Sequence, residues 1–228
     1  METQQTITGL GLLEEGIREF ILTNLLYFGF GGFAFLLFYF LMKEKWISKK
    51  IQKRFPTNPY LWFEIKYSIL STIIFGCTAA WIVWADNHGW TKMYNNISDY
   101  GIPYFIFSVI AMIFMHDTYF YWGHRFMHLK KIYPIVHQVH HHSINPSPWA
   151  TFAFHPLEGI IEAAIVPIMV MIIPTHILAV AIFFVFMTFM NVLGHLGYEI
   201  YPAGFTKNKW FAWNNTSTHH NMHHSLFN

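Results

Sequence analysis

An all-α, multi-pass transmembrane helical bundle with a cytoplasmic helical cap is the fold that this sequence predicts, with about four to five spans or re-entrant hairpins. The first observation is composition, because 54% of the 228 residues are hydrophobic and 11% are charged, whereas soluble domains carry about 25% charged residues. The second is the length of the apolar runs, since a membrane-crossing helix needs about 20 consecutive apolar residues. The third is the distribution of basic residues among the loops.

The apolar runs define five candidate spans. They are residues 20–42, 61–84, 101–122, 152–174 and 177–198. The last two are separated only by Pro174, Thr175 and His176. This spacing predicts a tight helical hairpin, or a pair that folds back as a re-entrant unit.

Basic residues predict how the bundle is oriented. The loop "KEKWISKKIQKRF" holds six Lys and Arg residues, which places it in the cytoplasm by the positive-inside rule. Alternation of the spans then returns residues 123–151 and 199–228 to the cytoplasm and leaves residues 85–100 outside, with Lys92 as their one basic residue. The sequence therefore predicts an integral, multi-pass membrane protein whose cap lies on the cytoplasmic face.

Other features of the composition exclude several classes of protein. The net charge of +2 is too small to indicate a nucleic-acid partner. The single cysteine, Cys77, excludes an intrachain disulfide and a Cys-ligated iron–sulfur cluster. No internal repeat or flexible linker divides the chain, so we expect one structural domain overall. Within it, residues 1–99 supply N-terminal transmembrane helices and residues 100–228 carry the motifs described next.

Histidines occur in three spaced groups. "HRFMH" contains His124 and His128, "HQVHH" contains His137, His140 and His141, and "HNMHH" contains His220, His223 and His224. Residues three and four apart share one face of a helix, so each group is expected to present its imidazoles to one point.

So many clustered imidazoles indicate a metal site. Packed together they would repel one another when protonated and need partners when neutral, and a metal ion supplies that partner. Eight imidazoles are enough for two ions, although the donor type suits Fe, Zn, Cu and Ni alike. The sequence has no HExxH motif, which weakens a zinc-peptidase interpretation. We therefore expect the cap to carry a histidine-rich dimetal site, and we favour two irons that activate dioxygen, with zinc as the alternative metal.

Four segments carry a family resemblance. The stretches "HDTYFYWGHRFMH" (116–128), "HQVHHHSINPSPWATFAFHPLEG" (137–159), "NVLGHLGYE" (191–199) and "THHNMHH" (218–224) resemble the sterol desaturase branch of the fatty acid hydroxylase superfamily. These are integral-membrane, non-haem di-iron oxygenases. The resemblance covers roughly residues 100–228, which would be the catalytic region, while residues 1–99 match only as hydrophobic spans.

The resemblance implies a set of ligands and partners. Carried over residue by residue, it nominates as metal ligands His124, His128, His137, His140, His141, His195, His220, His223 and His224. It implies two iron ions held over a cleft entered from the bilayer, a lipid substrate, O2, and electrons from a b-type cytochrome, a ferredoxin or an NAD(P)H reductase. It also implies a further segment after residue 228, so we expect either truncation or a different C-terminal cover.

Several residues are expected to support the ligands rather than bind metal. Asp117 precedes His124 by seven residues, so its carboxylate could accept the free N–H of a ligating imidazole. His142 is turned about 100° from His141 around a helix, which puts it beside the ligands or on the substrate side. Further candidates for this supporting role are His155, Asn191 and His219. The sequence leaves open the roles of His116, Glu158 and Glu162.

The leading functional hypothesis is an O2-dependent oxidoreductase that hydroxylates or desaturates a sterol-like or fatty-acyl/alkyl lipid. No catalytic residue beyond the metal ligands is predicted. One alternative is a His-rich membrane metal-binding protein or transporter, although a transporter would need polar residues deep in several spans. A zinc-dependent membrane hydrolase is another. A b-type cytochrome fits less well, because it would pair histidines from different helices at membrane depth.

Overall fold

Ten α-helices and one short parallel strand pair are present in residues 8–226, the part of the chain that this computed structural model describes. The expectation about the C-terminal cover lies outside these residues. In chain order the elements are α1 (Gly9–Phe35), α2 (Lys43–Trp46), α3 (Asn58–Asn87), β1 (Met93–Tyr94), α4 (Gly101–Met127), α5 (Tyr133–Val136), α6 (Gln138–His141), α7 (Pro156–Ala163), α8 (Ile165–Ile172), β2 (Thr175–His176), α9 (Ile177–Gly194) and α10 (Ser217–Leu226).

Four of these helices are long and apolar enough to cross a membrane. They are α1 with a π-helical continuation to Leu41, α3, α4 and α9. The prediction of an all-α multi-pass bundle is thereby confirmed. Buried side chains of α4, α8 and α9 form one core cluster between them, which includes Met112, Met169 and Phe183.

The fourth predicted span, residues 152–174, was wrong as a single helix. The segment contains two helices of eight residues, α7 and α8, interrupted at Ala164. Pro167 explains the break, because it has no N–H to donate to the carbonyl of Ala163 and its ring would clash with that carbonyl. Each helix is about 12 Å long, far short of the roughly 30 Å hydrocarbon core. At the tight connection predicted after this span, Thr175 and His176 form β2. This strand pairs in parallel with β1 through Met93–Thr175 and Tyr94–His176.

Small and polar residues let α1 and α3 approach closely. A Cβ atom added at Gly76 would lie 2.6 Å from the carbonyl oxygen of Gly16, so no larger residue fits there without movement. Further along the same interface, Asn24 Nδ2 donates to Thr72 Oγ1 at 2.9 Å. Small residues and interhelical hydrogen bonds are the usual means of packing helices in lipid.

The same two helices hold the loop that joins α6 to α7. Tyr27 Oη of α1 and Ser68 Oγ of α3 both donate to the carbonyl of Trp149, at 2.8 and 2.9 Å. Glu64 of α3 is fully buried and accepts hydrogen bonds from the backbone N–H and the hydroxyl of Ser147. The loop is therefore fixed by residues about 80 to 120 positions away in the sequence.

Residues 47–54 connect the N-terminal helices to the segment that follows α9. The backbone N–H of Ile51 donates to Gly197 O at 3.1 Å, and that of Glu199 donates to Lys49 O at 2.9 Å. Gly197 has a φ of +72° and faces Tyr39 Oη, which would lie 2.6 Å from an added Cβ. These contacts form a crossing of residues 47–54 with the segment after α9, directly beside His195 in the sequence.

Candidate metal centre

Nine histidines converge into two groups at one end of the bundle. Within each group, every histidine offers one ring nitrogen, and these nitrogens all lie within 4.8 Å of one another. The five-histidine group consists of His124, His128, His137, His141 and His223. The four-histidine group consists of His140, His195, His220 and His224. These nine are the residues that the sequence nominated.

The structure divides each histidine triplet between the two groups, whereas the helical spacing predicted that each triplet would face one point. His137 and His141 lie in the five-histidine group and His140 in the four-histidine group. Residues four apart differ by about 40° around a helix, but adjacent residues differ by about 100°. The same division separates His223 from His220 and His224. The short helices α6 and α10 therefore each contribute to both groups.

Nitrogen-to-nitrogen distances within the groups fit a shared cation. His124 Nε2 lies 2.8 Å from His223 Nε2, and His220 Nε2 lies 2.9 Å from His195 Nε2 and 3.1 Å from His224 Nε2. Imidazole nitrogens bind such ions at about 2.0–2.1 Å, so nitrogens that share one ion would lie roughly 3 Å from one another. Buried nitrogens of the five-histidine group, His128 Nε2 and His137 Nε2, have no hydrogen-bond partner among the described residues.

Hydrogen bonds to the opposite ring nitrogen orient two of the imidazoles. His195 Nδ1 lies 2.9 Å from the carbonyl oxygen of Asn191, which can only accept, so Nδ1 carries the proton and Nε2 presents its lone pair. His137 Nδ1 lies 2.6 Å from Glu158 Oε1, and both side chains are 1% exposed. A ligating histidine usually has such a partner, which fixes its tautomer and ring orientation.

Burial favours the neutral form of most of these imidazoles near pH 7. It lowers the pKa of His141 to about 3 and that of His195 to about 4. Burial together with the neighbouring imidazoles also lowers the pKa of His140, His220 and His224 well below the usual value. Because a metal binds the neutral imidazole, the rings are in the protonation state that coordination needs.

Polar contacts place α10 against the rest of the site. The Glu199 carboxylate accepts from the backbone N–H of Thr218 at 3.1 Å and of Tyr201 at 3.0 Å. Gln52 Nε2 donates to Asn221 Oδ1 at 2.9 Å and to Ile144 O at 2.7 Å, which joins α10 to the loop after α6. The helix that carries His220, His223 and His224 is thereby held at its first and middle turns.

The five residues expected to support the ligands lie in different surroundings. Asn191 meets His195 through its backbone carbonyl. His155 caps α7 by accepting from Leu157 N at 3.3 Å. Asp117 is 59% exposed and lies 3.9 Å from His116. His142 is exposed and stacks on Tyr60, with ring centroids 5.6 Å apart, and His219 is also exposed.

The contact between Glu158 and His137 was not predicted from the sequence. The position of Glu158 follows "HP" at the start of α7, and no helical spacing relates it to His137. The contact arises because residues 142–155 return the chain, so that α7 packs against α5 and reaches His137. Glu64 and Glu199 were not singled out either, since their roles depend on the loop and on α10 meeting helices that are distant in sequence.

An apolar cavity within the bundle reaches the histidines. Its volume is about 980 Å³, and α1, α3, α4, α7, α8 and α9 contribute to its walls. Phe152, Phe154, Val166 and Phe183 line it, as do histidines of both groups, among them His137 and His140. A cavity of this size and lining suits a lipid-sized apolar molecule.

Comparisons with known proteins agree with this geometry. The sequence profile of the family described as Fatty acid hydroxylase matches residues 109–228. A Delta(7)-sterol 5(6)-desaturase from Schizosaccharomyces pombe is 33% identical over 154 residues, covering 66% of this chain and 47% of the relative. A Delta(7)-sterol 5(6)-desaturase from Aspergillus fumigatus is 32% identical over 186 residues, covering 72% and 56%.

A lathosterol oxidase from Homo sapiens is more distant but matches over more of the chain. It is 25% identical over 224 residues, covering 95% of this chain and 70% of the relative. The chain spans about half the length of the fungal desaturases that it matches. No solved structure matches it.

Proposed function

The chain belongs to the fatty acid hydroxylase family, and from this premise we propose that it is a membrane-bound, non-haem di-iron oxygenase that hydroxylates or desaturates a lipid. The observation that carries the proposal is that members of both all-histidine groups line the same apolar cavity. An oxygenase of this kind needs a metal pair and an apolar substrate at the same place.

The residues present fit a pair of metal ions. Nine imidazoles in groups of five and four would hold one ion each, and imidazole is a suitable ligand for iron. Short nitrogen-to-nitrogen distances such as the 2.8 Å between His124 and His223 have a simple explanation if both lone pairs face one cation. Two bound irons would supply the activation of O2, with two electrons from a donor.

The chain's own residues would perform three tasks. The cavity would bind the lipid and exclude water, since its walls are mostly aromatic and aliphatic. Glu158 and the Asn191 carbonyl would keep a proton on Nδ1 of His137 and His195, so that Nε2 stays available. The low pKa of the buried imidazoles would keep them neutral at the pH of the cytoplasm.

Substrate and electron donor are also proposed here. The names of the relatives favour a sterol, within the broader class of sterol-like and fatty-acyl or alkyl lipids. A b-type cytochrome, a ferredoxin or an NAD(P)H reductase would supply electrons. The excess of Lys and Arg in residues 43–54 supports a cytoplasmic position for the metal centre, where such donors are found.

Metal analysis combined with turnover tests this function. The purified full chain is expected to contain about two irons without a haem absorbance, and to convert lathosterol to a hydroxylated or desaturated product when O2 and a reduced donor are present. About two zincs, together with hydrolysis of a lipid ester, would support the hydrolase instead. Bound metal that moves across a vesicle membrane would support the transporter.

A further inference from the structure

Two carboxyl groups of α7, Glu158 and Glu162, line the apolar cavity one helical turn apart. Glu158 uses Oε1 for its contact with His137, and its buried Oε2 has no hydrogen-bond partner among the described residues. The carboxyl of Glu162 has no hydrogen-bond or ionic partner within residues 8–226. Two neighbouring hydrogen-bond acceptors are thus available inside the mostly apolar cavity.

The other charged side chains that line the cavity have partners. The contacts are Glu15 with Arg18, Glu19 with Thr23, Asp86 with Thr91, Arg125 with Tyr121 and Asp117 with His116. Arg18 and Asp117 are also 62% and 59% exposed, so water or lipid headgroups can reach them. Among the charged residues of this cavity that the structure describes, Glu162 differs because it has no hydrogen-bond or ionic partner, and its side chain is half-buried.

A carboxyl group without a partner in an apolar cavity lowers the stability of the folded protein. Burial of a polar group without a hydrogen bond is unfavourable, and ionisable groups in such surroundings are commonly functional. Burial raises the pKa of Glu162 to about 8. The carboxyl would therefore be mostly neutral near pH 7 and able both to donate and to accept a hydrogen bond.

We propose that Glu162, with the free oxygen of Glu158 beside it, binds the hydroxyl group of a hydroxylated lipid such as a 3-hydroxysterol. This inference rests on the proposed oxidation of a lipid at the histidine groups. The hydroxyl satisfies Glu162, while the remaining apolar part of the lipid fills the cavity.

The position of Glu162 determines which part of the lipid would react. Four residues along α7 place it about 6 Å from Glu158 along the helix axis, and Glu158 directly contacts His137. A hydroxyl bound at Glu162 therefore holds the carbons a few bonds away from it close to the histidine groups. A lipid without a hydroxyl in this region leaves Glu162 unpaired, and such sites discriminate strongly against that kind of analogue.

Equilibrium binding to the metal-loaded full chain in lipid nanodiscs tests the site. The probes are radiolabelled lathosterol and its 3-deoxy analogue, which lacks the hydroxyl group. Wild-type protein is expected to bind lathosterol about 10- to 100-fold more tightly than the deoxy analogue, the range expected for one hydrogen bond to a carboxyl group inside the cavity. Glu162→Leu is expected to remove this preference while keeping the metal content and the affinity for the deoxy analogue.

Two further variants keep the test decisive. Glu162→Gln preserves shape and hydrogen-bonding capacity, so it should retain part of the preference even if the leucine variant folds poorly. Glu19→Gln makes the same chemical change at a carboxyl of the same cavity that already has a partner, Thr23, and should keep the wild-type preference.

The possible failures are distinguishable. A wild-type preference in Glu162→Leu, equal binding of both probes by wild type, or no lathosterol binding at all would overturn the hydroxyl site. If wild-type protein nevertheless holds two irons and oxidises a lipid, the proposed function stands without it. Absence of iron together with absence of lipid oxidation would overturn the proposed function itself.

Discussion

Each ligating imidazole needs one ring nitrogen for the metal and a partner that holds the other. His137 is the clearest case, because its Nδ1 lies 2.6 Å from a fully buried carboxyl of Glu158. His195 obtains the same orientation from the Asn191 carbonyl. A substitution at Asn191 would leave that carbonyl in place, whereas a substitution at Glu158 removes the partner itself.

Glu158→Ala is expected to weaken metal binding about 10- to 100-fold, the usual effect of removing a partner of a ligating histidine. The loss occurs because His137 can then rotate and change tautomer. Competition with a chelator measures the affinity, and Glu44→Gln, at an exposed carboxyl of α2, is the control. Unchanged affinity in Glu158→Ala would mean that packing alone orients His137.

His140→Ala is expected to lose metal from the four-histidine group and, with it, turnover. His140 is 3% exposed, and its removal leaves three imidazoles in that group. Elemental analysis of the purified variant measures the loss. His142→Ala changes a neighbouring histidine that stacks on Tyr60 and should keep its metal. Full metal content and turnover in His140→Ala would refute its assignment as a ligand.

Short elements carry most of the candidate ligands, and longer elements hold them in place. α6 and α10 have four and ten residues, too few to be stable helices alone in water. Glu199 and Gln52 fix α10, and Tyr27, Ser68 and Glu64 fix the loop behind α6. The candidate metal centre therefore depends on the N-terminal helices, although the family profile begins only at residue 109.

Gly197→Ala tests the crossing of residues 47–54 with the segment after α9. The φ of +72° is unfavourable for alanine, and the new Cβ would lie 2.6 Å from Tyr39 Oη. We expect a loss of about 1 to 3 kcal/mol in the free energy of unfolding, measured by denaturation in detergent micelles. Gly29→Ala meets no atom within 4 Å in the middle of α1 and should be neutral or slightly stabilising. Equal stability of the two variants would show that the crossing is not tight.

At the scale of the whole molecule, the histidine groups are expected to couple metal binding to stability. Nine imidazoles packed together reduce the stability of the folded state when no metal is bound, because any proton that binds them adds a charge in a buried site. A bound ion stabilises the folded state through its affinity and blocks that protonation. The bundle and its metal centre are therefore expected to unfold differently with and without metal.

The metal-free protein is expected to lose stability as the pH falls from about 6.5 through about 4. An unfolded histidine has a pKa of about 6.5, whereas burial lowers the pKa of His195 to about 4 in the folded state. The unfolded chain thus binds more protons in this window, so the free energy of unfolding decreases by about 1.4 kcal/mol per pH unit for each such group. Above about pH 6.5 this contribution is complete.

Thermal unfolding of chelator-treated protein in micelles between pH 7.5 and 4.5 measures this effect. A matched scan of metal-loaded protein should begin its decline at lower pH, because protons must then compete with the ion. Identical midpoints across the range in the metal-free protein would contradict the assignment of neutral, buried imidazoles.

Sequence alone determined the bundle and the identity of its candidate ligands. Long apolar runs and helical histidine spacing are local properties, and they are sufficient to predict the four long helices and eight of the nine converging histidines, while His195 was predicted only from the family resemblance. The wrong span at 152–174 came from the same local measure, since hydropathy does not register the missing N–H of Pro167.

Only the tertiary structure decided how those histidines divide and what surrounds them. The split of His140 from His137 and His141 depends on where α9 and α10 approach α6, and the Glu158 contact depends on a chain reversal held by Tyr27 and Ser68. The cavity and the unpartnered Glu162 are likewise properties of six helices together. Such contacts join residues that are distant in sequence, and no periodicity along the chain encodes them.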